Sequence, residues 1–85
     1  MNDLLSESQT KAVQDILVEQ LGVQATQLTA DARLKEDLGA DSLDTAEIIM
    51  NVDERFDVCV PDEMADRVAT VGDLFEALAE LLAKR

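Results

Sequence analysis

The chain has 85 residues, enough for one small domain, and we expect residues 1–85 to form that domain without a separate catalytic unit. Apolar residues make up 47% of the sequence and charged residues 31%, which is typical of a folded domain and not of a disordered acidic tail. Nineteen acidic residues against seven basic ones give a formal charge of −12, which disfavours nucleic acid and anionic membranes as partners.

The chain lacks side chains from which many active sites are built. It contains no histidine, so neither a Ser-His-Asp nor a Cys-His arrangement can form within it, and we do not expect an enzyme. Cys59 is the sole cysteine, which excludes an internal disulfide and a zinc knuckle. We expect Cys59 to be a semi-buried apolar residue, and we expect no metal site. No basic leader and no apolar run of ~20 residues occurs, which indicates a cytoplasmic protein without membrane insertion. We also expect the chain to be a monomer.

The first predicted helix runs from a Ser6 cap to Gly22. Ser6 and Gln9 have the spacing of a capping box, and glycine is favoured just after a helix end. Between them, apolar residues recur at helical intervals: Val13, Ile16, Leu17 and Leu21. From residue 23 to residue 40 the periodicity fades, which predicts a long loop pinned by scattered leucines. A loop of this length indicates that it positions something or wraps the core.

The second predicted helix has two apolar faces. Asp41 can cap it, Asp44 falls at its third position, and helix-compatible residues continue to Phe56. At about 100° per residue, one sector should face the core: Thr45, Ile48, Ile49, Val52 and Phe56. Leu43 and Met50 lie two turns apart on the opposite side among carboxylates, which indicates a surface for a partner protein. In the alternative, both side chains contact the long loop and belong to the core.

A short third helix and a longer fourth helix complete the prediction. The third begins at Pro61 and ends near residue 67 or 68, and the fourth follows a Thr70 cap and ends with Lys84 and Arg85. No segment alternates convincingly like a β-strand. We therefore predict an all-α fold, a small four-helix bundle of three longer helices and one short helix, with the long loop between the first two.

Ser42 lies one residue after the proposed cap of the second helix. Free backbone N–H groups and the positive end of the helix dipole favour an anion there. Its hydroxyl has no base in reach and would be a poor nucleophile by itself, but a separate enzyme could attach a phosphoester to it. Serines near helix starts are common, so position alone leaves an unmodified Ser42 as the alternative.

A specific pattern surrounds Ser42: Asp37-Leu38-Gly39-Ala40-Asp41-Ser42-Leu43-Asp44-Thr45. Further segments stand at matching positions along nearly the whole chain: Gln20-Leu21-Gly22-Val23, Glu47, Met50, Phe56-Asp57, Pro61-Asp62-Glu63 and Thr70-Val71. Together they closely resemble the acyl carrier proteins of type II fatty acid synthesis. The resemblance implies that Ser42 receives 4′-phosphopantetheine from coenzyme A, and that the thiol of this arm holds growing acyl chains as thioesters. Ser42 would then be an attachment point in a phosphoprotein and not a catalytic residue.

The resemblance also implies a docking face, an acyl cavity and a set of partners. The matching docking positions are Asp41, Leu43, Asp44, Ala46, Glu47, Met50 and Glu54. The matching cavity positions are Ile48, Val52, Val60, Ala65 and Val68. The implied partners are a phosphopantetheinyl transferase (holo-carrier synthase), ketoacyl synthases and other enzymes of fatty acid synthesis, and acyltransferases.

Five residues depart from the common pattern of that family, and two of them, Val58 and Cys59, are unusually apolar for the loop after the second helix. Arg55 interrupts the usual acidic end of the second helix, Ala46 is smaller than the usual aliphatic residue, and Met64 stands where a charge is frequent. A specialised carrier for a polyketide or other acyl pathway is therefore an alternative. An acidic helical Ca²⁺-binding or adaptor module is less favoured, because no D-x-[DN]-x-[DN]-G loop is present. A glycosidase with paired carboxylates is disfavoured because aromatic residues make up only 2% of the chain.

Overall fold

The computed structural model describes residues 5–84, which form four α-helices and one short 3-10 helix. Helix α1 spans Glu7–Leu21, α2 spans Ser42–Phe56, α3 spans Asp62–Asp66, α4 spans Val71–Ala83, and the 3-10 helix spans Ala25–Gln27. Within the described residues, β-type pairing is limited to an isolated bridge between Arg33 and Thr70. The prediction of an all-α bundle with three longer helices and one short helix is confirmed. Helix α4 ends at Ala83, before the predicted end at Lys84 and Arg85. Arg85 and the amino-terminal residues 1–4 lie outside the described residues.

Local sequence explains where α1, α2 and α4 begin. At each start, the cap side chain accepts a hydrogen bond from the backbone N–H three residues later, and the side chain there accepts one from the N–H of the cap. The pairs are Ser6 with Gln9, Asp41 with Asp44, and Thr70 with Asp73. Helix α1 ends at Gly22, whose φ of 67° lies in the left-handed region that glycine adopts without steric cost. The predicted starts of these three helices and the predicted end of α1 are confirmed.

The core is built from the facing sides of the three longer helices and is closed by the long loop. Leu17 of α1, Ile48 of α2 and Phe75 of α4 are at most 1% exposed, and burying each such side chain contributes about 1.5–3 kcal/mol. Leu28 and Leu34 of the loop are each 2% exposed and belong to the same apolar cluster. The loop therefore wraps the core, as predicted.

Backbone hydrogen bonds join the long loop to the start of α4. The N–H of Leu34 donates to the carbonyl oxygen of Ala69 at 2.9 Å, and the N–H of Gly72 donates to that of Ala30 at 3.0 Å. A Cβ atom at Gly72 would lie 3.0 Å from the Ala30 oxygen, so this close approach favours glycine. These bonds hold the segment of loop that leads into α2.

Asp73 makes the start of α4 sensitive to acid. Its Oδ2 accepts hydrogen bonds from the N–H of Ala69 at 3.0 Å and from the N–H of Thr70 at 3.1 Å. The Ala69 bond contributes most to lowering the pKa of Asp73, the Thr70 bonds add to it, and partial burial opposes them. Because the pKa is lower in the folded state than in the unfolded state, this stabilisation is present above about pH 4 and is lost as the pH falls further.

We therefore expect Asp73→Asn to lower the free energy of unfolding by about 1 kcal/mol at pH 7, because the charged acceptor is lost. The difference from wild type should narrow at pH 3, because that pH lies below the ordinary aspartate pKa of about 3.9, so that unfolding is coupled to uptake of a proton by Asp73. Urea denaturation at both pH values measures this, with Asp31→Asn as the control at an exposed loop carboxylate. An equal difference at pH 7 and pH 3 would contradict the role assigned to the charge.

Candidate functional site

Ser42 is the first residue of α2, and its side chain is exposed. The turn that presents it is held by its neighbours. The N–H of Asp44 donates to Oδ1 of Asp41 at 2.8 Å, the N–H of Asp41 donates to Oδ2 of Asp44 at 3.3 Å, and the hydroxyl of Thr45 donates to the Asp41 carbonyl at 3.0 Å. Asp41 thus provides the helix cap, and the Ser42 hydroxyl makes no hydrogen bond to any residue from 5 to 84. That hydroxyl is available for modification.

The chain before Ser42 is fixed on the core. Leu38 and Ala40 are 7% and 5% exposed, and the N–H of Ala40 donates to the carbonyl oxygen of Leu34 at 2.8 Å. Between them, Gly39 has a φ of 75°, a conformation that favours glycine. The long loop therefore positions the start of α2, one of the two roles that its length indicates.

A groove between α2 and the segment containing α3 begins beside Ser42. Its volume is about 570 Å³, within the range of about 300–1,000 Å³ typical of small-molecule sites. Its lining includes Ser42, Ile49, Met50, Val60, Ala65 and Val68. The N–H of Val60 donates to Oδ1 of Asp53 at 3.1 Å, and this bond holds the segment between α2 and α3 against α2. An exposed hydroxyl at the edge of a partly apolar groove fits a covalently attached, flexible arm.

The five predicted cavity residues separate into two groups. Val60, Ala65 and Val68 line the groove. Ile48 and Val52 are 1% and 0% exposed and lie in the bundle core instead of the groove. The groove side of α2 is lined by other residues, among them Thr45, Ala46, Ile49 and Met50. Occupation of the core or the groove by an acyl chain stays a prediction.

Cys59 and Lys35 also line the groove, and neither of them was predicted there from the sequence. Cys59 is exposed and lines the groove, so the expectation of a semi-buried residue is wrong. The loop between α2 and α3 turns its side chain outward, which sequence alone does not reveal. Lys35, a residue of the long loop, lines the same groove and places a positive charge on the same lining as Ser42.

The predicted docking residues are spread along the outer side of α2. Leu43 is 66% exposed and Met50 is 59% exposed, so the alternative that they belong to the core is wrong. Asp41, Ala46 and Glu54 are also exposed, while Asp44 and Glu47 are half-buried. We call these seven residues the acidic face. An apolar pair of this exposure among carboxylates suits contact with a partner that is apolar and basic.

Gln20 of α1 is a member of this site that sequence reasoning did not assign. Its Nε2 donates to Oε2 of Glu47 at 2.9 Å and to Oδ1 of Asp44 at 3.3 Å. The two carboxylates lie three residues apart on α2 and therefore face the same way. The packing of α1 against α2 creates this contact, so no local pattern in the sequence could reveal it.

Within residues 5–84, no group of three or more histidine, cysteine, aspartate or glutamate side chains is arranged to hold a metal ion. No helix in this part of the chain is long and apolar enough to cross a membrane.

Comparisons with known proteins identify the family. A family model described as the phosphopantetheine attachment site matches residues 11–78. An acyl carrier protein from Akkermansia muciniphila is 53% identical over 62 residues, which cover 73% of this chain and 78% of the relative. A solved structure of a candidate acyl carrier protein from Mycobacterium tuberculosis superposes with a TM-score of 0.79 at 28% identity, covering 85% of this chain and 96% of the other.

These matches first establish the class of protein: the chain belongs to the proteins that carry a covalent phosphopantetheine arm. Within that class, the chain belongs to the acyl carrier protein family, whose cofactor is 4′-phosphopantetheine.

Proposed function

We propose that Ser42 is the residue to which 4′-phosphopantetheine is attached, and that the chain delivers acyl groups to enzymes of fatty acid synthesis. One observation carries the assignment of the residue: Ser42 is the only serine within residues 11–78, the segment that matches the attachment-site family. Its exposed and unbonded hydroxyl at the start of α2 supports the same assignment. When attached, the arm supplies a terminal thiol that holds acyl groups as thioesters.

Attachment requires a chemical step at the Ser42 hydroxyl. Its oxygen forms a bond to the β-phosphorus of coenzyme A, the pyrophosphate bridge breaks, and 3′,5′-adenosine bisphosphate leaves. The hydroxyl proton passes to a base of the transferase, because this chain has no histidine. Backbone N–H groups in the first turn of α2 and the ammonium group of Lys35 favour the new phosphodiester electrostatically.

The remaining residues divide into those that face the arm and those that face partners. Ile49, Val60 and Val68 offer an apolar lining along which the arm and a short acyl chain can lie, away from water. The acidic face steers basic surfaces of the transferase and of ketoacyl synthases, and such charge pairs raise association rates more than affinity. The carrier can therefore pass rapidly from one enzyme to the next. A chain that performs no catalysis of its own requires this exchange.

Mass spectrometry tests the proposal directly. The chain is incubated with coenzyme A, Mg²⁺ and a phosphopantetheinyl transferase, and its intact mass is then measured. We expect a gain of one phosphopantetheine group per chain, and peptide mapping should place it on Ser42. A chain that gains no mass, or gains it at another residue, would refute the assignment.

A further inference from the structure

Gln20 connects α1 to the turn that presents Ser42. Its amide nitrogen donates one hydrogen bond to Oδ1 of Asp44 and one to Oε2 of Glu47. We propose that Gln20 is a positioning residue for the modification of Ser42: it acts through these two carboxylates and does not itself touch the reacting atoms. This inference rests on the proposed function, since it concerns how the chain is presented to the transferase.

The first part of the argument concerns Asp44, because both of its carboxylate oxygens are used. Oδ1 accepts from Gln20 at 3.3 Å, and Oδ2 accepts from the N–H of Asp41 at 3.3 Å. Asp41 in turn accepts from the N–H of Asp44 at 2.8 Å. A continuous series of hydrogen bonds therefore runs from α1 through Asp44 to the residue directly before Ser42. Loss of the Gln20 bond frees the Asp44 side chain to leave the cap.

The second part concerns Glu47, one turn further along α2. Asp44 and Glu47 are like charges three residues apart, an arrangement that is unfavourable on a helix surface. A neutral amide that donates to both carboxylates offsets this repulsion and holds each side chain in one orientation. Long side chains lose conformational freedom when a partner binds them, so carboxylates that are already ordered bind a basic partner more tightly. Gln20 thereby prepares half-buried carboxylates of the acidic face for docking.

Steady-state kinetics of the transferase reaction test this role, with the carrier chain as the varied substrate. Gln20→Met removes the donor and keeps the length of the side chain, and Gln20→Glu keeps its shape but replaces the donor with a carboxylate. We expect both changes to raise KM for the chain about three- to tenfold and to change kcat less than about twofold. Gln14→Met and Gln14→Glu are the matched controls, because Gln14 is half-buried on the same helix and makes no side-chain hydrogen bond to the described residues.

The two Gln20 substitutions distinguish a positioning role from an effect of added charge and from a loss of stability. An added negative charge alone would lower KM for a basic partner, so a raised KM for Gln20→Glu indicates lost positioning. If Gln20 had a purely structural role, its variants would melt at a lower temperature but would keep the wild-type KM when folded. That result would overturn the inference. If neither Gln20 variant folds, Gln20 is a structural residue and the inference fails as well. A wild-type chain that is not modified at all refutes the proposed function instead.

Discussion

The Ser42→Ala variant is expected to gain no phosphopantetheine under conditions that convert the wild-type chain completely. Alanine lacks the oxygen that must bond to phosphorus, so modification should be lost completely. More enzyme or a longer incubation should not restore it. Intact mass spectrometry measures this result. The variant should also fail to accept acyl groups, because it lacks the thiol of the arm.

The same variant should keep its fold. The Asp41 carboxylate caps α2, the Ser42 side chain is exposed, and alanine is a strong helix former. The free energy of unfolding should therefore change by no more than about 0.5 kcal/mol, measured by urea denaturation. Ser8→Ala is the matched control, an exposed serine in the first turn of α1 outside the family match, and it should be modified like wild type. Modification of Ser42→Ala would show that another residue carries the arm.

Features that depend on residues close together in the chain could be predicted from the sequence. A capping box needs only a side chain and a backbone N–H three residues apart, so Ser6, Asp41 and Thr70 marked the helix starts. The helix period also favoured exposure of Leu43 and Met50 over the alternative that they belong to the core, because both lie opposite a well-defined apolar sector.

Features that depend on how distant segments pack could not be predicted. The bridge between Arg33 and Thr70 joins residues on opposite sides of α2 in the chain, and the hydrogen bond of Gln20 to Glu47 spans 27 positions. Both exist only once the helices are docked. Cys59 illustrates the same limit, since its apolar neighbours indicated burial and the direction of the loop decided exposure.

The residues that line the groove could be predicted only in part, because their placement also depends on how the helices pack. The helix period identifies which residues of α2 lie on one side, but it does not say which edge of that side faces α1 or α3. Ile48 and Val52 face the core, whereas Ile49 and Met50, one or two residues away, reach the groove. A rotation of about 100° per residue separates these outcomes, so the choice rests on helix packing and not on composition.

Met50→Glu is expected to lower kcat/KM for acyl transfer between the chain and a ketoacyl synthase about ten- to hundredfold. Met50 is 59% exposed on the acidic face, so it has apolar surface to bury when a partner docks there. Burying a methionine side chain contributes about 1.5–3 kcal/mol, which corresponds to this change in rate. A carboxylate in the same place would also have to lose its water without a matching partner. The fold should tolerate the change, because the side chain is not part of the core.

Two controls decide whether the apolar contact or the charge is responsible. Met50→Leu keeps the volume and should transfer at close to the wild-type rate. Ser8→Glu adds the same charge at an exposed position of α1 and should also leave the rate nearly unchanged. Since extra negative charge by itself speeds encounter with a basic surface, a slower Met50→Glu identifies a lost apolar contact. Transfer at the wild-type rate by Met50→Glu would mean that partners bind elsewhere, and that the exposed pair of Leu43 and Met50 has no part in docking.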